Sequence, residues 1–210
     1  MAYFLKEGYQ ERERPKYFVD RPRADGIVGQ PMVYPAAAKL ARDLHCSRII
    51  DIGCGFAGKL IELHPEFELV GVDYGPNIEH CRTYGFGAWI EWDIERDPLP
   101  DLPAEDSVVV CADVVEHLVD PLKLLQALEA LLRRAAVGLI STPERDLTRG
   151  PDHVGPPQNI HHVREWNMDE FRRLLESVGL PPVRLDLTES GTHMPRKNTV
   201  LATLPGAKLH

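Results

Sequence analysis

The residues best suited to chemistry fall at a few fixed stations of the chain. Asp51-Ile-Gly53-Cys-Gly55-Phe-Ala-Gly58 follows the apolar pair Ile49-Ile50, Asp73 closes the next such run, and Asp93 follows Trp89-Ile-Glu-Trp92. Glycines behind a strand permit a tight turn and let backbone N–H groups approach a ligand at a helix start, although alone they also suit a plain strand-to-helix turn. A carboxylate ending the following strand adds a specific ability, because it accepts both hydroxyls of a ribose. A third, at Asp93, accepts from an adenine amino group while Trp92 or Ile94 covers the ring. The three acids together point to an adenosine-containing ligand.

A second set is acid–base in character. Glu116 and His117 follow the run Val108-Val-Val-Cys-Ala112, and His153, His161 and His162 lie in a later proline-rich stretch. Imidazole titrates near neutrality and is the default proton acceptor, though a neutral histidine that only hydrogen-bonds a loop is as common. Position singles out Glu116 and His117, at a strand's carboxyl end, and His162, in a segment that opens a helix.

These groups need a scaffold. Residues 47–52, 68–73, 107–112 and 136–141 are short β-branched runs of the kind found in strands covered on both faces. Between them the spacing predicts helices. Over 121–133, Leu124, Leu125, Leu128, Leu131 and Leu132 form one stripe behind an Asp120 cap and Pro121. Over 168–178, Phe171, Leu174, Leu175 and Val178 share a face, with Asn167 and Glu170 as a capping pair and Gly179 then Pro181 as the stop. Extended pieces near 183–188 and 198–204 complete the sheet. Such β-α alternation predicts a doubly wound α/β domain whose ligands bind outside the carboxyl ends of the strands. Two regions break the pattern: residues 1–30, and 142–166 with Pro143, Pro151, Pro156 and Pro157, both expected to act as lids.

The 210 residues amount to one domain, and 43% apolar with 27% charged residues describe an ordinary globular protein. Twenty-four Lys and Arg against 32 Asp and Glu leave a net charge of −8, which disfavours nucleic acid as a partner. Cys46, Cys54, Cys81 and Cys111 have no CxxC spacing and read as free thiols in a reducing compartment, with no nucleophilic role for Cys54 or Cys111. The N-terminus has no signal-peptide core, and no apolar run approaches the ~20 residues that a bilayer requires, so a cytoplasmic protein without membrane contact, monomer or homodimer, is expected. The terminal Lys208-Leu209-His210 is given no function. Tyr9, Tyr17 and Phe18 suit either a lid or a surface latch, the charges from Glu11 to Lys16 suit a solvated face, and Glu144-Arg-Asp146 suits contact with polar groups of a substrate or, more simply, a capped loop.

The ensemble resembles the class I S-adenosylmethionine-dependent methyltransferases. Asp51-Ile-Gly53-Cys-Gly55 is similar to their first motif, Gly71-Val-Asp73 to their ribose motif, Trp92-Asp93-Ile94 to their adenine motif, and the run from Val108 to Leu118 to their fourth-strand motif. The resemblance spans residues 30 to 204 or so. It implies one Rossmann-like, doubly wound, mostly parallel seven-stranded sheet at 31–205, with a lid or substrate segment at 1–30 and a tail at 206–210. It also implies S-adenosyl-L-methionine as cofactor, held by Asp51, Gly53, Gly55, Asp73, Tyr74, Asp93, Ile94, Ala112 and Asp113. The sequence departs from the family at Ala57, where many members carry a third glycine, and Gly58 is expected to serve the turn.

The resemblance extends to the second set. Ubiquinone-pathway O-methyltransferases and small-RNA 3′-terminal 2′-O-methyltransferases carry Glu-x-x-Glu-His after strand four, and in the RNA enzymes a later histidine before a Glu-Trp pair joins in holding a divalent metal. Asp113-Val-Val-Glu116-His117 and His162 stand in those places, with Asp113 one methylene short. Either Glu116, His117 and His162 form a metal-free catalytic centre, or Asp113, Glu116, His117 and His162 are candidate ligands of magnesium or manganese. The expected reaction is methyl transfer to an oxygen or nitrogen of a small biosynthetic intermediate. The alternatives are metal-assisted 2′-O-methylation of RNA 3′ ends and a non-catalytic cofactor-binding module.

Overall fold

The computed structural model describes residues 2–21, 29–192 and 196–209. Parts of the expected N-terminal segment, at 1 and 22–28, and of the tail, at 210, lie outside the described residues.

Strands form along extended runs, deeply buried in the middle of the sheet and only partly covered at its two edges. They are β1 (Arg48–Ile52), β2 (Glu68–Asp73), β3 (Ala88–Glu91), β4 (Ser107–Ala112), β5 (Val137–Pro143), β6 (Arg184–Glu189) and β7 (Lys197–Pro205), in one seven-stranded sheet of order β3-β2-β1-β4-β5-β7-β6. The first five are parallel, whereas β7 runs antiparallel to both β5 and β6. The chain starts in the middle, at β1, builds outward to β3, then returns to place β4 on the other side of β1. This reversal opens a crevice above the carboxyl ends of β1 and β4.

Among the described residues five α-helices accompany the sheet: α1 (Val33–Asp43), α2 (Pro76–Cys81), α3 (Pro121–Leu132), α4 (Arg145–Arg149) and α5 (Met168–Ser177). The Asp120 carboxylate caps α3 by accepting from Leu122 N, and the leucine stripe behind it is buried, as the spacing predicts. Asn167 and Glu170 form a full capping box on α5, which ends at Gly179 in the left-handed region, φ 80°. One core joins α3 and α5 to the sheet, and the other joins α1 and α2 to it. All four cysteines are buried free thiols. Among the described residues no helix is long and apolar enough to cross a membrane.

The stretch 142–166 is less irregular than expected. It contains the end of β5 and all of α4, whose cap is Glu144, and it closes on a run from His162 to Trp166 that is buried throughout. Glu144-Arg-Asp146 is indeed a capped turn. Fully buried Arg145 places its guanidinium on the Glu170 carboxylate through two hydrogen bonds, 2.5 and 3.0 Å, while Glu170 Oε1 also accepts from Lys6 N. One carboxylate thus ties the N-terminal segment, α4 and α5 together.

Truncating one partner of a buried pair strands the other charge, at a cost of about 3–5 kcal/mol. Glu170→Ala is expected to lose that much unfolding free energy in urea, whereas Asp169→Ala, next to it but more exposed, should change it by about 0.5 kcal/mol or less.

Candidate active site

The glycine loop lies against the end of β2, with Gly53 N and Cys54 N both donating to Val72 O. Gly53 and Gly55 take φ of 75° and 57°, values that side chains resist. The third left-handed residue is Ala57, φ 58°, and not Gly58 as expected. Gly58 is needed for another reason: a Cβ there would stand 2.2 Å from the Phe56 ring. Beneath the loop, Asp51 is fully buried, with Oδ2 accepting from Tyr34 Oη at 2.7 Å and Oδ1 left without a partner. Burial pushes its carboxyl up to about 7 from the ordinary 3.8.

Asp73 stands part-exposed at the end of β2. Its carboxylate accepts from Gly55 N at 2.8 Å, from Tyr74 N at 2.7 Å and from Asn77 Nδ2 at 3.2 Å, which leaves lone-pair capacity on Oδ2 for a ligand. Asp93 is at the end of β3, but its carboxylate is turned to its own loop, accepting from Glu95 N and Arg96 Nη1. Trp92, expected to cover a ring there, is buried in the core with its indole N–H on Asp97 O, so Ile94 is the residue left part-exposed. Ala112 and Asp113 end β4, part-exposed, with Asp113 at φ 52°, a conformation that costs a non-glycine residue of order 1–3 kcal/mol.

Glu116, His117 and His162 come together, each offering a ligand atom within 4.8 Å of the others. The backbone positions them: Glu116 O accepts from Val163 N, which pins the later loop to the turn after β4. Glu116 is fully buried, with Oε2 accepting from Thr142 Oγ1 and Oε1 unpartnered, and burial with the nearby Asp113 charge holds its carboxyl well above the usual range. His117 Nδ1 lies 2.9 Å from His161 O; a carbonyl only accepts, so Nδ1 carries the proton and Nε2 the lone pair. Burial, then the neighbouring His162, lowers the His117 imidazole to about 3. His162 Nδ1 donates to the buried Glu165 carboxylate at 2.7 Å, and its Nε2 accepts from Asn159 Nδ2 at 2.8 Å.

Asp113, expected among the candidate metal ligands, is left out of this group. Its Oδ1 accepts from Ser141 Oγ and its Oδ2 from Gln30 Nε2. Glu116 Oε1 and His117 Nε2 are the donors left over, and His162 Nε2 joins them once the Asn159 amide leaves it. The ligand atoms of these three residues lie within 4.8 Å of one another, so they could hold a divalent ion whose remaining positions are filled by water.

The two segments expected as lids are bonded to each other. Gln10 N, Arg12 N and Lys16 N donate to the carbonyls of Val154, Val163 and Ile160, and Arg12 reaches His162 O and Pro157 O with its guanidinium. Glu11 pairs with Arg164 at 2.7 Å, so the charges of 11–16 are fasteners and not only a solvated face. Farther along, Phe18 stacks on His117 at 5.4 Å and Tyr17 Oη donates to Tyr74 O. Asp20 N donates to Asn77 Oδ1, and the Asp20 side chain lies against Gly55. Tyr9 is fixed beneath, its hydroxyl accepting from Glu165 N and its ring facing Arg145.

With this geometry the chain can be compared with known proteins. A family model described as a methyltransferase domain matches residues 11–185. The chain belongs to this family. The methyltransferase is 31% identical over 191 residues to a ubiquinone biosynthesis O-methyltransferase of Dinoroseobacter shibae, covering 81% of this chain and 75% of that protein. It is 33% identical over 137 residues to a probable S-adenosylmethionine-dependent methyltransferase of Mycolicibacterium smegmatis, covering 62% of this chain and about half, 51%, of that relative. Its fold matches the crystal structure of a S-adenosylmethionine-dependent methyltransferase from Clostridium acetobutylicum at a TM-score of 0.61, with 13% identity and coverage of 85% and 92%. It is thus a class I S-adenosylmethionine-dependent methyltransferase with the Rossmann-like sheet described above.

Sequence reasoning missed Asp20, Gln30, Lys59, Asn77, Asn159 and Glu165, all of which touch this crevice or hold the residues that do. Two left a signal: Lys59 directly follows the glycine loop, and Glu165 stands three residues past His162.

The Asp51 carboxyl supplies a pH test. An unfolded chain releases this proton near pH 4 and the folded methyltransferase near 7, so the folded form holds more protons between those values. Stability therefore falls as pH rises through that window, by at most about 1.4 kcal/mol per unit from this group. Asp51→Asn removes the effect. Urea unfolding at pH 5 and pH 8 should show the Asp51→Asn variant gaining on the wild type at the higher pH; a constant difference would mean that Asp51 is ionised when folded.

Proposed function

We propose that this methyltransferase transfers a methyl group to an oxygen, or a nitrogen bearing a proton, of a small-molecule acceptor. The observation that carries this reading is the meeting of Glu116, His117 and His162 at the carboxyl edge beside the glycine loop. The O-methyltransferase named above supports oxygen as the acceptor atom.

The residues fit the cofactor by their chemistry. Asp51 has an unpartnered buried oxygen, Asp73 keeps capacity for ribose hydroxyls, and Asp20, Asp51, Asp73 and Asp113 surround one loop, which suits a ligand with cationic groups. When bound, S-adenosylmethionine supplies the methyl group on a sulfonium that is already a good leaving group.

What remains for the protein is alignment, exclusion of water and proton removal. Glu165 holds the His162 Nδ1–H, so Nε2 faces outward as a proton acceptor once an acceptor hydroxyl displaces the Asn159 amide. His117 stays neutral and offers Nε2 as a hydrogen-bond acceptor, which positions the hydroxyl without taking its proton. Burial holds the Glu116 carboxyl well above the usual range, which disfavours a negative charge beside that hydroxyl. The strap of residues 9–20 roofs the site with Phe18. Metal-assisted methylation of RNA ends draws no support from the net charge of −8.

Losing the Asp73 carboxylate strands two ribose donors at about 1–3 kcal/mol each, so Asp73→Ala should weaken adenosylhomocysteine binding at least tenfold in calorimetry. Unchanged affinity would remove the ribose assignment. Turnover is followed as adenosylhomocysteine release with a panel of hydroxylated small molecules, quinone-type phenols among them. His162→Ala should lower kcat by about 100-fold or more while leaving cofactor affinity within a few-fold, and EDTA should leave wild-type turnover unchanged. Activity lost to EDTA and restored by magnesium or manganese would replace the base with a metal.

A further inference from the structure

We propose that the Lys59 ammonium is the anchor for the α-carboxylate at the aminoacyl end of the cofactor. This rests on reading the crevice as an S-adenosylmethionine site.

Lys59 directly follows Gly58 and is half-buried at the mouth of the crevice. Its Nζ donates to Gly29 O at 3.1 Å and to Gln30 Oε1 at 2.7 Å, and it lies 5.0 Å from the centre of the Tyr34 ring. Gln30 in turn donates to Asp113 Oδ2, and Asp113 Oδ1 accepts from Ser141 Oγ. This chain of bonds joins the loop after β1, the residues just before α1, and the ends of β4 and β5. It therefore surrounds the switch point between β1 and β4.

Sheet order gives the ligand a direction. The adenine station is at the end of β3 and the ribose station at the end of β2, so a ligand lying along the carboxyl edge continues over β1 toward β4. Neighbouring strands are about 4.8 Å apart, and three spacings make ~14 Å, comparable with an extended adenosyl amino acid. The aminoacyl end then arrives at Lys59, and the transferable group arrives beside the turn after β4 that carries Glu116 and His117.

The chemistry of the lysine agrees. Both of its hydrogen-bond acceptors are neutral carbonyl oxygens, which account for two of its three donors, and among the described residues no carboxylate lies within 4.0 Å of Nζ. Burial lowers its pKa, while the more distant Asp51, Asp113 and Asp20 oppose that shift. A half-desolvated ammonium with a spare donor and no direct counter-ion suits a carboxylate, and charge-assisted bonds of this kind are about twice as strong as neutral ones.

The test uses the full chain and two probes in calorimetry: S-adenosylhomocysteine, which carries the carboxylate, and 5′-methylthioadenosine, which lacks the aminoacyl end. Lys59→Met is expected to weaken the first about tenfold or more and the second less than twofold, while Lys59→Arg restores most of the loss. Should Lys59→Met fail to fold, Lys59→Gln, which is uncharged but keeps a donor, takes its place with the same expectation. Equal weakening of both probes would show that the lysine only shapes the loop, and unchanged adenosylhomocysteine affinity would show that the carboxylate lies elsewhere; either overturns the proposal. A wild type that binds neither probe would instead overturn the reading of the crevice on which it rests.

Discussion

Parallel strands buried on both faces leave a protein nowhere inside to put unpaired polar groups, because each would have to be desolvated without compensation. In this chain the constraint is strict: Ile49, Ile50, Ile52, Val108, Val109 and Val110 are all essentially inaccessible to solvent. Chemistry is therefore pushed to the strand ends, and the reversal between β1 and β4 decides which ends open on one crevice. Asp73 ends β2, and Asp93, Asp113 and the Glu116-His117 pair follow β3 and β4 for that reason. Asp51 is the exception, still within β1, and its carboxyl titrates near 7 as a result.

The crevice would be open on its upper side without the N-terminal strap. That segment is held largely by backbone and carbonyl bonds, with Arg12 alone reaching two carbonyls of the later loop. Its far end is fixed through Asn77, which bonds both Asp20 N and the Asp73 carboxylate. The cover and the ribose station thus share one amide side chain, and the cover and the acid–base group share the Phe18 and His117 rings.

Sheet, long helices and strand-end acids were legible in the sequence because each has a local signature: β-branched runs, a leucine stripe behind a cap, a capping box. Helix α1 was not, since it buries Ala37, Ala38 and Ala41, which are too small to make an apolar stripe. Helices α2 and α4 are one to two turns long and leave no period to read. Within the site, sequence brought Glu116, His117 and His162 to one crevice but could not show that Ser141 and Gln30 take up Asp113, or that Asp93 bonds its own turn. Those depend on contacts between residues far apart in the chain. Ala57 misled for a related reason: a left-handed backbone is imposed by the loop as a whole, and the glycine next to it answers to the Phe56 ring instead.

The place of Phe18 has a consequence for how such a protein diverges. The Phe18 ring that stacks on His117 belongs to a segment outside the sheet, whereas Asp73, Asp113, Glu116 and His117 sit on strand ends and their loops. The first twenty or so codons carry both this ring and Asp20, which lies against the glycine loop, so exchanging them between relatives would alter both sides of the crevice at once.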